Sequence, residues 1–393
     1  MHLTLHLTNQ CNLNCKYCFV AHGPERMSRE VAFAAVRLGM EETEFSRGKK
    51  MSSVLFYGGE PLLERNLIYD IVKFSQSLKK KTEHIFYFKV TTNGILLDEK
   101  FLRFAEKNKI TIAFSHDGLA QDECRIFHDG SGSFALLEEK IPLLLKSQPF
   151  AVAMCVVDPS TVHRAAETVN FLYAKGFRYI TVGVNYCKTA PWTREKLEVI
   201  RNEYIKIAQM YVDLTMAEKK LYISAFDMKI LSHLKGENYN ADRNIMAMNQ
   251  PSVAPDGKIY YASKYLNEPA FEIGDVFSGI DKEKQKKIAR AGMEIHEPCK
   301  NCAIKSRCNY AHDNLRYEST AIPVENEKNE LHVAKPHYAY VSDASPVQCA
   351  HEQILTPIAD RVAETLFSNK SAMFIHKHYN EMYSVLSLIE EKM

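Results

Sequence analysis

Three cysteines with metal-ligand spacing stand near the start of the chain. Cys11, Cys15 and Cys18 are spaced CxxxCxxC, directly after a stretch that alternates apolar and polar residues as a β-strand does. Thiolates at this spacing can ligate three irons of a cubane [4Fe–4S] cluster and leave the fourth iron open. A structural zinc site is the alternative, but it uses four protein ligands and the sequence offers no fourth one nearby. The spacing therefore favours an iron–sulfur cluster that has one open iron.

A second group of cysteines lies towards the C-terminus. Cys299, Cys302 and Cys308 form a CxxCx5C unit, and Cys349 follows after a long interval, in a Ser-Pro-Val-Gln-Cys stretch that predicts a loop. In a reducing compartment, close-set cysteines indicate metal binding more often than disulfides. A four-cysteine zinc ribbon and an iron–sulfur cluster both fit this spacing. The three other cysteines stand singly, and we expect them to be small buried residues: Cys124, Cys155 and Cys187.

The composition is that of a soluble globular protein. The 393 residues are 46% hydrophobic and 25% charged, with a formal net charge of +2. A charge so near zero argues against a nucleic-acid or membrane-surface binder. The N-terminus lacks the basic start and unbroken apolar run of a signal peptide, and no apolar stretch is long enough to span a bilayer. We therefore predict a cytoplasmic protein with neither a nucleic-acid nor a membrane partner.

Strand-like and helix-like segments alternate through the first half of the chain, and these elements must position the cysteines. Such alternation indicates βα units and a parallel sheet. The predicted strands are 2–7, 53–57, 85–91, 111–115, 151–157 and 179–184. The predicted helices between them are 29–44, 63–80, 99–107, 134–146 and 165–175. Periodicity alone does not decide between a partial barrel and a doubly wound sheet.

The remainder of the chain has a different pattern. Two further helices are predicted at 193–219 and 225–234, and an Asp-Gly pair between apolar residues predicts a hairpin within 252–261. The segment 318–337 is polar, carries two prolines and has no periodicity, so we predict a loop there. Helix-like patterning returns after position 351.

The first cysteine group and a second motif together resemble a known family. CNLNCKYCF at 11–19 follows the first predicted strand, and YGGEP at 57–61 follows the second. In this order the two motifs resemble those of the radical S-adenosylmethionine (SAM) superfamily. The resemblance implies an α/β fold with a partial (β/α)6 TIM-like barrel. It also implies that the open iron of the cluster binds the amino and carboxylate groups of SAM.

The same resemblance implies which residues contact SAM. Glu60 of GGEP would meet the SAM ammonium, and Arg125 matches an arginine that binds the SAM carboxylate. Ser115, in Ser-His-Asp-Gly, resembles an element of peptide-modifying members; Ser115 and Arg125 could alternatively serve only to order the loop. Tyr17 is expected near the adenine, or packed under the cysteine loop. The implied SAM contacts are Tyr17, Gly58, Gly59, Glu60, Asn93, Ser115 and Arg125.

The second cysteine group resembles the SPASM extension of radical SAM enzymes that act on peptides. The family pattern has seven cysteines and two auxiliary [4Fe–4S] clusters, whereas Ser263 and His312 stand at two of those positions here. The missing cysteines all belong to the inner cluster. His312 is a candidate proton donor or acceptor, with a packing role as the alternative. The resemblance therefore implies one auxiliary cluster, ligated by Cys299, Cys302, Cys308 and Cys349.

These motifs predict three regions: a radical SAM core at 1–200, a helical bridge at 201–245, and a SPASM/twitch-like domain with C-terminal helices at 246–393. The extension implies a peptide or protein substrate, modified by abstraction of a hydrogen atom from carbon. Maturation of a ribosomally made peptide by crosslinking, epimerisation or oxidation is the favoured activity. Sulfatase maturation or modification of a small metabolite is the alternative, and a zinc-stabilised binding protein is a remote one.

Two features bear on the mechanism and the partners. Sulfatase maturases place an Asp base where this sequence has Ser263-Lys264, and a lysine is cationic at neutral pH unless it is strongly desolvated. The expected electron donor is a flavodoxin or ferredoxin. Because the chain begins directly at the first predicted strand, we also expect either that a separate protein binds any leader peptide or that the mouth of the barrel itself holds the substrate.

Overall fold

The computed structural model describes most of the chain as two compact units. The described residues are 1–43, 45–46, 49–82, 84–187, 190–236, 250–293, 299–308, 321–325, 331–336 and 346–380. Unit 1 comprises the described residues within 1–115, 125–148 and 245–290, and unit 2 comprises those within 116–124, 149–244 and 291–393. The region boundaries predicted near 200 and 245 stay a prediction.

Unit 1 is built on a sheet whose central strands run parallel. Its strands are β1 (His2–His6), β2 (Phe45–Ser46), β3 (Lys49–Tyr57), β4 (Ile85–Thr92), β5 (Ile110–Ser115), β9 (Ser252–Val253), β10 (Lys258–Tyr260), β11 (Glu272–Asp275) and β12 (Gly279–Ile280). β1, β3, β4 and β5 pair in parallel, in that order. β9 joins β1 in parallel, and β10, β11 and β12 continue from it as an antiparallel meander. The short β2 pairs antiparallel with β3.

The helices of unit 1 begin at residues that cap their free backbone N–H groups. Ser28 accepts from the Val31 N–H, and Asp98 accepts from the Phe101 N–H. A helix that starts after each parallel strand is what a βα unit requires. The helices that lie in this part of the chain are α1 (Arg29–Glu41), α2 (Arg65–Thr82), α3 (Glu99–Lys107) and α5 (Phe134–Ser147), and α9 (Lys282–Met293) follows β12.

The two faces of the unit 1 sheet differ in polarity. On one face Leu3 packs against α1 so closely that a Cβ on Gly39 would stand 2.3 Å from Leu3 Cδ1. The alternate residues form the other face, where the rings of His6 and Tyr57 lie 5.2 Å apart. We call this second face the polar face. On β1, β3 and β4 it carries His2, Thr4, His6, Ser53, Leu55, Tyr57, Tyr87, Lys89 and Thr91.

Unit 2 combines short parallel strands with long helices. Its elements are α4 (Gln121–Cys124), β6 (Val152–Val157), α6 (Ala165–Ala174), β7 (Tyr179–Val184), α7 (Arg194–Met216), β8 (Tyr222–Ile223), α8 (Ser224–Lys235), β13 (Ala321–Glu325), β14 (Leu331–Pro336), α10 (Pro346–Ser368) and α11 (Ala372–Ile375). β6, β7 and β8 pair in parallel. Helix α10 packs against α7 and α8. Trp192, Tyr204, Tyr211 and Phe226 are almost completely buried and supply much of the core.

The structure corrects two of the sequence-based predictions. The segment 318–337 is not entirely loop, because β13 and β14 form an antiparallel pair within it. Branched apolar residues alternate in both strands, while one proline ends the ladder and the other lies beside a register shift, where prolines are tolerated. Cys349 lies in the first turn of α10 and not in a loop, since Pro346 opens that helix. No helix in the described ranges has both the length and the apolarity needed to cross a bilayer.

Candidate metal and cofactor site

The first cysteine loop leaves the end of β1 and lies directly on the end of β3. The Gly59 N–H donates to the Thr8 carbonyl (2.8 Å), and the Glu60 N–H donates to the Gln10 carbonyl (2.8 Å). A Cβ on Gly58 would stand 2.3 Å from the Thr8 oxygen, and a Cβ on Gly59 would stand 2.1 Å from the Gln10 oxygen. Neither position has room for a side chain. The cysteine loop itself therefore requires both glycines, a reason that the motif alone did not reveal.

The three thiols of this loop lie within electrostatic reach of one another. Cys11 and Cys15 are half-buried, and Cys18 is exposed. Burial raises the pKa of the Cys11 thiol to about 12, although a hydrogen bond from the Leu13 N–H lowers it in part. The negative charges of Glu60, Cys15 and Cys18 raise this pKa further. A bound metal ion reverses this preference, because a coordinating thiol is deprotonated outright. The loop thus fits a cationic metal cluster.

The number of thiols in the loop bears on the kind of metal group that it could hold. A structural zinc ion takes four protein ligands at one centre, whereas a cubane cluster distributes its cysteine ligands over separate irons. Three interacting thiols fit a cubane with one iron left open.

Glu60 is a completely buried carboxylate at the ends of β3 and β4. Its Oε1 accepts from the Leu62 N–H (2.9 Å) and the Thr92 hydroxyl (2.8 Å), and its Oε2 accepts from the Asn93 N–H (2.8 Å). Burial nevertheless raises its pKa to about 7, because these bonds offset only part of the cost of desolvating the charge. A cation bound next to Glu60 would restore the ionised form.

Asn93 and two histidines line the space beside Cys11. The Asn93 Nδ2 donates to the Asn12 Oδ1 (2.8 Å) and lies 3.7 Å from the Cys11 sulfur. His128 Nε2 lies 3.0 Å from the Cys11 carbonyl oxygen, to which it can donate, and His22 Nε2 lies 3.6 Å from the Cys18 sulfur. Sequence reasoning missed His22 and His128, although both stand close to predicted motifs in the sequence. They line a pocket of about 370 Å³ with Gln10, Cys11, Asn12, Gly23 and Leu63.

Arg125 and Tyr17 contact one another next to Cys18 of the first cysteine loop. The Arg125 guanidinium lies 5.2 Å from the centre of the Tyr17 ring, within cation–π range. Desolvation raises the pKa of Cys18, and the positive charge of Arg125 opposes part of that rise. Arg125 is 8% exposed, and Ser115 is half-buried at the end of β5. The structure thus brings Tyr17, Cys18 and Arg125 together.

Asp117, which follows Ser115 in the sequence, has a structural role within unit 2. Its Oδ1 accepts from the Val156 N–H (2.9 Å) on β6, and its carbonyl accepts from the Thr168 hydroxyl (3.0 Å). Gly118 has a φ of +59°, and a Cβ there would stand 2.9 Å from the Thr168 backbone. These contacts explain the Asp-Gly of the motif without reference to a cofactor.

The second cysteine group is assembled from two distant parts of the sequence. Cys299, Cys302, Cys308 and Cys349 are all half-buried. A turn joins the first two, with the Cys302 N–H donating to the Cys299 carbonyl (3.2 Å). Burial raises the pKa of the Cys349 thiol, and the nearby Cys299 and Cys302 thiols raise it further. Cys349 therefore lies beside the CxxC turn. His312 lies outside the described residues.

Two ion pairs, one buried and one half-buried, secure this second group. Lys229 of α8 pairs with Glu352 of α10, and its Nζ also donates to the Arg307 carbonyl (2.9 Å), one residue before Cys308. Both side chains of the pair are at most 1% exposed. The Arg307 guanidinium in turn binds both oxygens of Asp360 on α10. The chain around Cys308 is thus fixed to α8 and to α10, the helix that carries Cys349.

A known sequence family matches the first part of the chain. Residues 5–172 match the model of the radical SAM superfamily. Among curated proteins, the chain is similar to a cysteine-type anaerobic sulfatase-maturating enzyme of Clostridium perfringens (strain 13 / Type A). The two are 23% identical over 320 residues, which cover 76% of this chain and 84% of that enzyme.

Solved structures of such proteins share the fold. The structure of native anSMEcpe with bound AdoMet and Cp18Cys peptide has a TM-score of 0.72 and 18% identity, and covers 94% of this chain and 99% of that one. The structure of Streptococcus suis SuiB bound to precursor peptide SuiA has a TM-score of 0.54 and 13% identity, and the match covers 86% of this chain and 75% of that one. The predicted α/β fold with a partial barrel and its parallel sheet is confirmed.

Proposed function

We propose that this chain, an enzyme whose residues 5–172 form a radical SAM domain, modifies a peptide substrate at a carbon–hydrogen bond. Radical SAM domains use a [4Fe–4S] cluster and SAM. The observation that carries the proposal is the first cysteine loop. Its Cys11 thiol lies within electrostatic reach of Cys15, Cys18 and Glu60, and its Cys18 thiol lies within reach of Arg125. Similarity to a sulfatase-maturating enzyme, and a fold shared with proteins solved with peptides bound, support a peptide or protein as substrate.

In this proposal Cys11, Cys15 and Cys18 hold the cluster, and the ends of the neighbouring strands hold SAM. When bound, the cluster would pass one electron from a flavodoxin- or ferredoxin-type donor to SAM, which would be cleaved to methionine and a 5′-deoxyadenosyl radical able to take a hydrogen atom from the substrate. The Glu60 carboxylate would pair with the SAM ammonium, and this cation would stabilise its ionised form. Asn93 would orient Asn12 and the Cys11 side of the loop.

Arg125, Tyr17 and Ser115 supply the remaining contacts of the proposed SAM site. Arg125 would bind the SAM carboxylate through its planar guanidinium. Its contact with Tyr17 supports this role, because the ring holds the guanidinium in one orientation next to Cys18. Ser115 at the end of β5, together with Gly58 and Gly59 under the loop, completes the proposed set.

We further propose that Cys299, Cys302, Cys308 and Cys349 hold one auxiliary [4Fe–4S] cluster. The proximity of Cys349 to the CxxC turn supports a common site for these thiols. Four cysteine ligands would saturate the cluster and leave no iron for substrate, so it would transfer electrons or hold the domain together. Ser263, at an expected ligand position of the missing inner cluster, instead shares a hydrogen bond with Ser252 (2.7 Å).

Sulfatase maturation is the second candidate function. The similarity to the Clostridium perfringens enzyme favours it. Residues 263 and 264 argue against it, because a sulfatase maturase would need a carboxylate base at this place. Here Lys264 places its ammonium over the Tyr265 ring, 4.9 Å from the ring centre. A cysteine-containing sulfatase peptide separates the two functions. Conversion of that cysteine to formylglycine by the purified enzyme would establish maturation of sulfatases.

The proposed activity is tested with anaerobically reconstituted protein, SAM and dithionite. We expect 5′-deoxyadenosine from the wild-type protein and none from Cys15→Ala, because that variant cannot hold the cluster that cleaves SAM. The matched control is Cys155→Ala, which removes a buried cysteine on β6 and should still form 5′-deoxyadenosine. Equal product from wild type and Cys15→Ala would refute the assignment.

A further inference from the structure

Lys89 places a cation on the polar face of unit 1, in the middle of β4. Backbone pairing sets Leu55 of β3 on one side of it and Thr111 of β5 on the other. Its neighbours along the strand, Phe88 and Val90, are buried on the opposite face. The Lys89 side chain is half-buried, and desolvation alone lowers its pKa.

The Lys89 ammonium has no counter-ion within the described ranges. No hydrogen bond or ion pair joins its Nζ to any residue there, and no neighbouring charge acts on its pKa. A partly desolvated ammonium without a partner costs the folded protein free energy. The position of Lys89 is explained if an anion from outside the chain completes it.

His6 supplies a second group of the same kind on the same face. It is 0% exposed, and neither ring nitrogen has a hydrogen-bond partner among the described residues. Burial lowers its pKa to about 3, so the ring is neutral and offers one donor and one acceptor. His6 on β1 and Lys89 on β4 are separated by two strand spacings and by two residues along the strands, which together give roughly 12 Å between their Cα atoms. The long lysine side chain narrows this gap, so one extended ligand can span both groups.

Their positions differ from those of the proposed SAM contacts. Glu60, Asn93 and Ser115 lie at or just beyond the carboxyl ends of their strands. Lys89 lies four positions before Asn93, which is roughly 13 Å deeper along the strand. His6 lies between these levels, at the last position of β1. A ligand that reaches Lys89 therefore extends along the polar face, away from the cysteine loop.

We infer that Lys89, together with His6, forms a subsite for a carboxylate of the substrate, so that the enzyme selects a peptide with an Asp or Glu side chain or a free C-terminus near the modified residue. This inference rests on the proposed function and names its substrate class. A single ammonium beside a neutral imidazole matches one monoanionic carboxylate. Phosphate groups carry more charge and are usually met by arginines or by several donors.

The first experiment reads the preference directly. A randomised eight-residue peptide library is offered to immobilised, cluster-reconstituted protein in the presence of SAM, and the retained peptides are sequenced. The wild-type protein should enrich Asp, Glu or a free C-terminus at one position. Lys89→Met should reduce that enrichment about tenfold, the effect of losing one charged hydrogen bond. Lys89→Glu should enrich Lys and Arg instead.

Tyr87→Phe is the matched control, since it changes a residue of the same strand and face without changing charge. It should keep the acidic preference of the wild-type protein. Peptides retained without acidic preference, or with the same preference in Lys89→Met, would overturn the subsite. SAM affinity is measured in parallel and should be unchanged in Lys89→Met. A tenfold loss would assign Lys89 to the carboxylate of SAM and would also overturn the inference.

A second measurement separates failure of the subsite from failure of the proposed function. The rate at which an amine-directed reagent acylates Lys89 is compared with the rate at exposed Lys107 in the SAM-loaded protein. N-acetyl-glutamate amide should slow acylation of Lys89 several-fold, and N-acetyl-glutamine amide should not. Equal rates with both probes would overturn the subsite. If no variant retained any peptide but the glutamate probe still slowed acylation of Lys89, the carboxylate subsite would stand and only the proposal of a peptide substrate would be refuted.

Discussion

The two cysteine groups are held in place by different forces. Around Cys11, Cys15 and Cys18, main-chain hydrogen bonds and side-chain-free glycines attach the loop to the end of β3. Around Cys308 and Cys349, ion pairs join the chain to the helices: the buried pair of Lys229 with Glu352, and the half-buried pair of Arg307 with Asp360. The contacts that attach the first loop to β3 are hydrogen bonds between main-chain groups, which carry no net charge. Side-chain charges fix the second, which therefore depends on complete pairing.

The comparison also separates the proposed roles. The first group has three thiols, with a buried carboxylate and an arginine beside them that suit the charged ends of SAM. The second group has four thiols and is bordered by ion pairs that belong to the protein itself. An open coordination site belongs to the first arrangement and a closed one to the second.

Loss of a ligand in the second group should uncouple two activities. We expect Cys302→Ala to form 5′-deoxyadenosine with dithionite while product formation falls by orders of magnitude, because the first cluster remains intact. Both products are quantified by mass spectrometry in one reaction. Cys187→Ala, which changes a single half-buried cysteine, is the control and should form both products. Modified peptide at the wild-type rate from Cys302→Ala would leave no role for a second cluster.

Breaking the buried pair should destabilise unit 2. Lys229→Met leaves the Glu352 carboxylate buried without its counter-ion, and we expect a loss of about 3–5 kcal/mol in the free energy of unfolding. The double variant Lys229→Met/Glu352→Leu should recover most of this loss, because it removes both charges. Chemical denaturation measures the change. Arg103→Met breaks the exposed pair with Glu99 and should leave the midpoint unchanged. A similar loss in both single variants would contradict the account.

Burial of Glu60 should make the stability of the cluster-free protein depend on pH. Its pKa rises from 4.5 to about 7 on folding, so the folded state binds a proton more tightly than the unfolded state. Stability should therefore fall as pH rises from about 4.5 to 7, by up to about 3 kcal/mol. Glu60→Gln should remove this part of the pH dependence. Thermal unfolding between pH 5 and 7.5 measures it, and parallel curves for the two proteins would show that Glu60 does not titrate there.

A smaller effect is expected from the glycines of the first loop. Gly59→Ala places a methyl group 2.1 Å from the Gln10 carbonyl, and the loop must move to admit it. We expect a loss of about 1–3 kcal/mol and slower reconstitution of the first cluster. Gly183→Ala is the control, because its Cβ would stand 3.8 Å from the nearest atom, an ordinary contact. Unchanged stability of Gly59→Ala would show that the loop adjusts freely.

Sequence reasoning anticipated the alternating core well. Strand β7 and helix α3 have the predicted bounds, because capping residues and period-two or period-3.6 patterns are local signals. It failed over 318–337, where pairing of β13 with β14 outweighed two prolines. It also misplaced Cys349 in a loop, since the helix that carries it is stabilised by packing against α7 and α8.

The candidate site shows the same division between local and long-range information. The cysteines and Glu60 could be identified from spacing, because each motif is contiguous in the sequence. The roles of His22 and His128, and the hydrogen bonds that Glu60 accepts from Thr92 and Asn93, could not be identified in this way. The contacts of the histidines with the cysteine loop, and those of Glu60 with the end of β4, form only in the folded chain. Lys89 and His6 likewise come to share one face of the sheet only through the pairing of β1, β3 and β4.

The most direct test of two unlike clusters is an iron count combined with electron paramagnetic resonance (EPR) spectra of the reduced protein, with and without SAM. The wild-type protein should contain about eight irons per chain, and the triple variant Cys11→Ala/Cys15→Ala/Cys18→Ala about four. SAM should change the wild-type spectrum and leave the triple-variant spectrum unaltered, because only the first cluster has an open iron. About twelve irons, zinc in place of the second cluster, or a spectrum of the triple variant that responds to SAM would contradict this account.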